Sequence, residues 1–103
     1  MVWDLRGALL KKGEKESARL ADFEFRLRAR TMRLLAPMVD PELAPDALVR
    51  EIASQSDEAI LRGLAVRFPG AAGKLDALHE RSRAEARRQL VDELGDPSPH
   101  RLA

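Results

Sequence analysis

The sequence predicts an all-α chain, and three observations carry that expectation. Leucine and alanine number sixteen each, while valine, isoleucine and threonine together number eight, a balance that favours helices over strands. Proline and glycine gather at Asp40-Pro41, Ala44-Pro45, Pro69-Gly70 and Gly95, dividing the chain into stretches of helix length. Within those stretches apolar residues recur at helical spacing. With 103 residues and no repeat of solenoid period, the expected architecture is a four-helix bundle with a flexible amphipathic N-terminal segment. The segment is expected at 1–13, the bundle at 14–95 and a disordered tail at 96–103.

The first helix is expected at 17–38, unbroken by glycine. Leu20, Phe23, Leu27, Leu34 and Met38 fall on one stripe with Thr31 in its gap, and Phe25, Met32 and Leu35 lie beside or across from it. That width is more than one neighbour covers and suits two neighbouring helices inside one bundle, with a second chain as the alternative cover. The second helix is expected at 46–54, buried through Leu48 and Ile52. Ser56 then offers its hydroxyl to the free amides of a third helix at 57–68, with Asp57 and Glu58 in the first turn, where the helix dipole favours negative charge. Its inner face holds Ile60, Leu61, Leu64 and Phe68, and Pro69-Gly70 ends it. The fourth helix, at 74–94, contacts its neighbours through Leu75, Leu78, Leu90, Val91 and Leu94, and Gly95 closes it. Leu27, Leu34, Leu48, Ile52, Leu61, Leu64 and Phe68 are the expected core.

The first dozen residues stand apart. Trp3, Leu5, Leu9 and Leu10 have roughly helical spacing, but Gly7 costs about 1 kcal/mol in a helix interior and Gly13 separates the segment from the first helix. A helix this short is marginal alone. Two readings stay open: a leader that orders in a partner's groove, and a turn that tucks Trp3 onto the bundle.

Composition excludes several chemistries. There is no cysteine, hence no disulfide scaffold, thiol nucleophile or thiolate metal site. His79-Glu80 resembles half of a zincin motif, but Arg83 occupies the place of the second histidine. The serines lack a nucleophile elbow, and Pro69-Gly-Ala-Ala-Gly-Lys74 lacks P-loop spacing. No enzyme activity and no metal site are expected. No apolar run reaches the roughly 20 residues that span a bilayer, so membrane insertion is not expected.

Charge is near balance at +1 but unevenly placed. Residues 1–36 hold nine Lys/Arg against five Asp/Glu, residues 37–60 one against six, and residues 61–103 eight against six. Arg19, Arg26, Arg30 and Arg33 form a basic stripe with Asp22 among them, suited to a solvated face or to contacts with the acidic middle of the same chain and less to phosphate. Leu48 to Phe68 has the outline of a helix-turn-helix, but a DNA reader needs Arg, Lys, Asn or Gln where Asp57 and Glu58 stand. Nucleic acid is therefore not the expected partner. A small DNA-binding or transcription-regulating domain is the alternative class.

Phe25-Arg-Leu-Arg-Ala-Arg-Thr-Met-Arg-Leu-Leu35 resembles a stretch in the zeta subunit family, the small helical inhibitors of alpha-proteobacterial ATP synthase, through Phe25, Arg26, Ala29, Arg30, Leu34 and Leu35. Asp57-Glu58-Ala-Ile-Leu-Arg-Gly-Leu-Ala-Val-Arg-Phe68 is similar to that family's third helix. Trp3, Asp4, Arg6, Leu10 and Lys12 can be laid on its N-terminal pattern. The sequence departs from the family at Gly7, at Pro37 and Met38, at Ser56, and in the shorter connection before the last helix. The resemblance covers residues 15–68 best. It implies a bundle preceded by an inhibitory segment that enters the interface between the catalytic and rotor subunits and blocks ATP hydrolysis. It also implies adenine nucleotide as a ligand of the bundle, and a cytoplasmic location peripheral to the inner membrane through ATP synthase. On that reading Trp3, Leu9 and Leu10 are apolar anchors and Asp4, Arg6 and Lys12 their polar companions. A bundle paralogue without inhibitory activity is the nearest alternative.

Overall fold

The computed structural model describes the backbone of residues 2–97 and side chains from Ser17 to Pro97. Four α-helices follow one another: α1 Val2–Val39, α2 Pro45–Glu51, α3 Asp57–Arg67 and α4 Leu75–Leu94, with a 3₁₀ segment at Pro69–Lys74. No strand occurs among the described residues. The described chain is all-α, and among the described residues no helix is long and apolar enough to cross a membrane.

α1 is longer than the sequence led us to expect. Its backbone is helical on both sides of Gly13, where the boundary of the N-terminal segment was expected, and continues through Gly7 to Val2. Each glycine costs about 1 kcal/mol in a helix interior but removes no hydrogen bond. Ala8 to Lys12 and Glu14 to Leu20 are mostly strong helix formers, and a helix already nucleated at its packed end propagates cheaply. At about 1.5 Å per residue α1 is about 57 Å long, and it dominates the longest dimension of the molecule, 63 Å.

The remaining ends follow local chemistry. Asp40 closes α1: its amide donates to Ala36 O at 3.1 Å, and its side-chain Oδ1 accepts from the Glu42 amide at 2.8 Å. This turn drops Leu43 into the core, and Pro45 opens α2 with a preset φ. α2 stops at Glu51, three residues short of expectation. Beyond it the Ser54 and Gln55 amides both donate to Glu51 O, at 3.1 and 2.9 Å. Ser56 caps α3 as expected, its hydroxyl accepting from the Ala59 amide at 3.2 Å. Phe68 leaves the helix at φ −129°, ψ 71°, outside the α region that the following proline disfavours. Gly95 ends α4 at φ 84° while its amide donates to Val91 O at 2.8 Å.

α1 is the common wall of two apolar clusters. The larger gathers Met32, Leu35, Ala36, Leu43, Leu48, Ile52, Ile60, Leu64 and Leu75, joining α1 to α2, α3 and the start of α4. The smaller gathers Phe23, Leu27, Ala86 and Leu90, with Leu34 and Val91 packed on it. Of the expected core, Leu27, Leu48, Ile52 and Leu64 are buried, while Leu34, Leu61 and Phe68 are only half-buried at the margins. Two members of the expected stripe are outside it: Leu20 is 41% and Met38 49% exposed. Both sit near the ends of the α1–α4 contact, where one neighbour is missing. Thr31 is buried because its hydroxyl donates to Leu27 O at 2.6 Å, which removes the cost of carrying an oxygen into the core. Along the middle of α4, Ser82 and Ala86 are buried while Ala84 is exposed.

Candidate functional site

Trp3, Asp4, Arg6, Leu9, Leu10 and Lys12 lie on the first turns of α1; their side chains fall outside the described residues. Behind them, from Ser17 on, lies the root from which that segment extends. Phe23 is buried in the smaller cluster, with the Arg87 guanidinium 5.8 Å from its ring centroid. One turn away, Arg83 Nη2 donates to Glu24 Oε1 at 2.8 Å. Arg19 Nη2 donates to Pro97 O at 3.3 Å, so the chain after Gly95 returns to α1 and Pro97 is buried. The rest of the tail, from Ser98 on, lies outside the described residues. Between these contacts Ala18, Leu20, Ala21, Asp22 and Phe25 are exposed, Phe25 at 51%. α1 is thus held on its α4 side and open on another.

The basic stripe is engaged within the chain. Arg30 grips Glu93 with a two-pronged contact, Nη1 to Oε2 at 2.6 Å and Nη2 to Oε1 at 2.9 Å, and also reaches Gln89 Oε1 at 3.0 Å. The Arg30 hydrogen bonds hold the Glu93 carboxyl below its ordinary range, and Glu93 in turn raises Arg30. Arg33 pairs with Asp46 of the acidic middle at 3.1 Å, and Arg26 with Asp22 at 2.8 Å. On α4, Arg88 lies against Glu85 and Asp92, and its hydrogen bonds, with help from Gln89, lower the Glu85 carboxyl to about 2.

Sequence reasoning missed the most connected arginine, Arg28, which lies off the exposed stripe. Its Nε donates to Asp57 Oδ1 at 2.7 Å, Nη1 to Ile52 O at 3.2 Å and Nη2 to Gln55 O at 2.5 Å. The second oxygen of Asp57 lies 3.2 Å from His79 Nε2. All three side chains keep about a fifth of their surface or less exposed. One carboxylate at the N-terminus of α3 therefore joins α1, the α2–α3 connection and α4. The only forewarning was the pairing of an acidic helix start with an arginine just inside the apolar stripe.

This constellation forms a clasp in which the three groups satisfy one another, and no group of three or more His, Cys, Asp or Glu is placed to hold a metal among the described residues. At the α3–α1 end, two shallow clefts of about 440 and 400 Å³ meet at Asp40, Arg67 and Phe68. Arg67 stacks 5.3 Å from the Phe68 centroid, and Lys74 lines the larger cleft beside Met38 and Leu78. No protein-family model, curated protein or solved structure matches this chain.

Proposed function

We propose that this protein is a non-enzymatic regulatory subunit that binds the catalytic head of an ATP synthase and suppresses ATP hydrolysis, with the helices behind α1's first turns acting as a four-helix bundle that holds the inhibitory segment. The observation that carries the reading is the continuity of α1. The residues that resemble the family's inhibitory segment stand on the same helix as Phe23, Leu27, Met32 and Leu35, which are buried in the two apolar clusters. A segment extended from a fixed root reaches a groove between subunits with less conformational entropy to lose than a free peptide. Trp3, Leu9 and Leu10 supply the apolar anchors, and an aromatic anchor buries much area for few rotamers lost. The catalytic and rotor subunits are the partners on this reading, which places the protein at the inner membrane through the ATP synthase.

The test is ATP hydrolysis by the cognate enzyme with added wild type, Trp3→Ala, and a chain lacking residues 1–12. Inhibition by the wild type, weakened by Trp3→Ala by the roughly 2 kcal/mol expected of a buried anchor and abolished by the deletion, supports the proposal. Equal behaviour of wild type and deletion refutes it.

A further inference from the structure

Arg26, Arg28, Arg30, Arg33, Arg83 and Arg88 each lie against a carboxylate of the same chain. Arg67 and Lys74 do not. Neither has an ion-pair partner among the described residues, and both line the cleft of about 440 Å³ at the α3–α1 end. The floor of that cleft is apolar and belongs to the interior: Val39, Phe68, Ala71 and Leu78 are half-buried and packed against the larger cluster. Met38 lines it as well, 49% exposed, its sulfur accepting from the buried Ser82 hydroxyl at 3.7 Å. Asp40 is the one carboxylate in the lining, and its Oδ1 already accepts from the Glu42 amide at 2.8 Å. Two positive side chains therefore face one negative. No serine, threonine, asparagine or glutamine lines the cleft, so no neutral side chain is there to read a hydroxyl or an amide. The cleft of similar volume between α3 and the start of α4 has the opposite balance, with Glu58 and Asp76 against Arg62.

From this lining we propose that the cleft binds an apolar carboxylate, a small organic acid with a plain alkyl or aryl body. The carboxylate pairs with Arg67 and Lys74, and the body covers Met38, Phe68 and Leu78. The cleft volume falls within the roughly 300–1,000 Å³ of small-molecule sites, and a mostly apolar lining with a few charged groups is their usual make-up. Arg67 is suited to its part because it stacks 5.3 Å from the Phe68 ring centroid. A stacked guanidinium keeps the N–H donors on its edge for a carboxylate. Exposed ion pairs contribute little by themselves, so the affinity comes chiefly from covering the apolar floor, and the two cations select an acid over a neutral molecule of the same shape. Asp40 sets the charge of the ligand. It leaves a single positive charge in excess, which matches a monoanion and opposes a ligand with several negative charges. Sugars, nucleosides and peptide backbones carry polar groups that find no neutral side-chain partner in this lining, which disfavours them against a hydrocarbon body. The inference does not rest on the ATPase reading, since it concerns the opposite end of α1 from the segment invoked there.

The test titrates the full chain, isotope-labelled and at neutral pH, with hydrocinnamate, a phenyl ring on a short alkyl carboxylate, and follows the backbone amides by NMR. The amides of Met38, Val39, Phe68, Ala71 and Leu78 should shift together and saturate in the millimolar range, as about eleven non-hydrogen atoms on an open site allow. Hydrocinnamyl alcohol keeps the body and loses the charge; it should bind at least about fivefold more weakly. Acetate keeps the charge and loses the body, and should bind at least about tenfold more weakly. Arg67→Gln combined with Lys74→Gln should weaken hydrocinnamate at least about fivefold, whereas Arg50→Gln, which removes an exposed cation outside the cleft, should leave it unchanged. Asp40→Asn keeps an oxygen for the Glu42 amide and removes the opposing charge, so it should tighten binding about twofold or more, a gain that a misfolded variant cannot produce. Circular dichroism checks that each variant keeps its helix content. The proposal is overturned if no saturable shift occurs at these amides, if acid and alcohol bind equally, or if the double variant keeps wild-type affinity. A peptide ending in leucine with a free carboxylate that binds about tenfold more tightly than hydrocinnamate overturns the assignment to a small acid in favour of a chain end.

Discussion

Removing the Arg28 guanidinium should cost more stability than removing any other arginine in the chain's described ion pairs. Arg28 makes three hydrogen bonds to two elements, one to the Asp57 carboxylate at 2.7 Å and two to backbone carbonyls of the α2–α3 connection. A hydrogen bond involving a charged group contributes roughly 1.5–3 kcal/mol where water is excluded. Here about a fifth of the side chain is exposed, and the freed carbonyls regain some water, so the sum must be discounted to about 2–3 kcal/mol for Arg28→Ala. Arg28→Lys keeps the charge but one ammonium cannot serve three acceptors set in a fork, which predicts about 1–2 kcal/mol. Arg26→Ala is the control. Its pair with Asp22 is similarly short, at 2.8 Å, but both side chains are more than half exposed, and such pairs contribute only a few tenths of a kcal/mol. Urea unfolding followed by circular dichroism measures all three variants. An Arg28→Ala chain no less stable than Arg26→Ala would show that the clasp is a surface decoration and that the α2–α3 connection is held by Leu48 and Ile52 alone.

Other expectations follow from single positions. Gly63 lies inside α3, exposed, with nothing near the site a Cβ would occupy; Gly63→Ala should raise stability by about 0.5–1 kcal/mol, whereas Gly95→Ala, at φ 84°, should lower it by about 1 kcal/mol, both read by thermal unfolding. Leu27 is 1% exposed in the smaller cluster, so Leu27→Ala should cost about 2–5 kcal/mol in the same urea titration. The Glu85 carboxyl, lowered to about 2 by its hydrogen bonds to Arg88 and Gln89, should titrate well below an ordinary glutamate by NMR. Because its folded value is depressed, the small support it gives α4 is complete above the ordinary glutamate range and lost as pH falls through about 2. A normal midpoint in the Arg88→Ala chain would confirm the cause.

The elements legible in the sequence were those with strong local chemistry. Ser56 before Asp57-Glu58 announced the start of α3, Pro69 its end and Gly95 the end of α4, because each acts through its own backbone or its nearest neighbours. The extent of α1 was not legible, since two glycines weaken a helix by amounts that the packed end can absorb. Leu20 and Met38 share a stripe with Leu27 but not its burial, because periodicity reports the direction a residue faces and not how far the neighbouring helix reaches. Arg28 was missed for a related reason: its three acceptors are remote in sequence, and two are carbonyls, which no residue code distinguishes. Of the N-terminal residues singled out, the backbone of α1 fixes the register, while the partner they meet is a matter for the assays above.

The division of the interior has a consequence for how the protein opens. α4 is a single rigid rod whose first turn is seated in the larger cluster through Leu75 and whose last turns are seated in the smaller through Ala86 and Leu90. Its two halves are therefore fastened to α1 by separate stores of apolar contact, the second drawn from only four buried residues. Fluctuations that release the second store lift the C-terminal half of α4 while α2 and α3 stay folded, at a free energy below that of global unfolding. Arg30 and Arg19 hold a group from that half and from the chain just beyond it, and Glu24 holds Arg83 just before it. They act as three latches on a hinged panel, and the surface behind the panel is α1 itself.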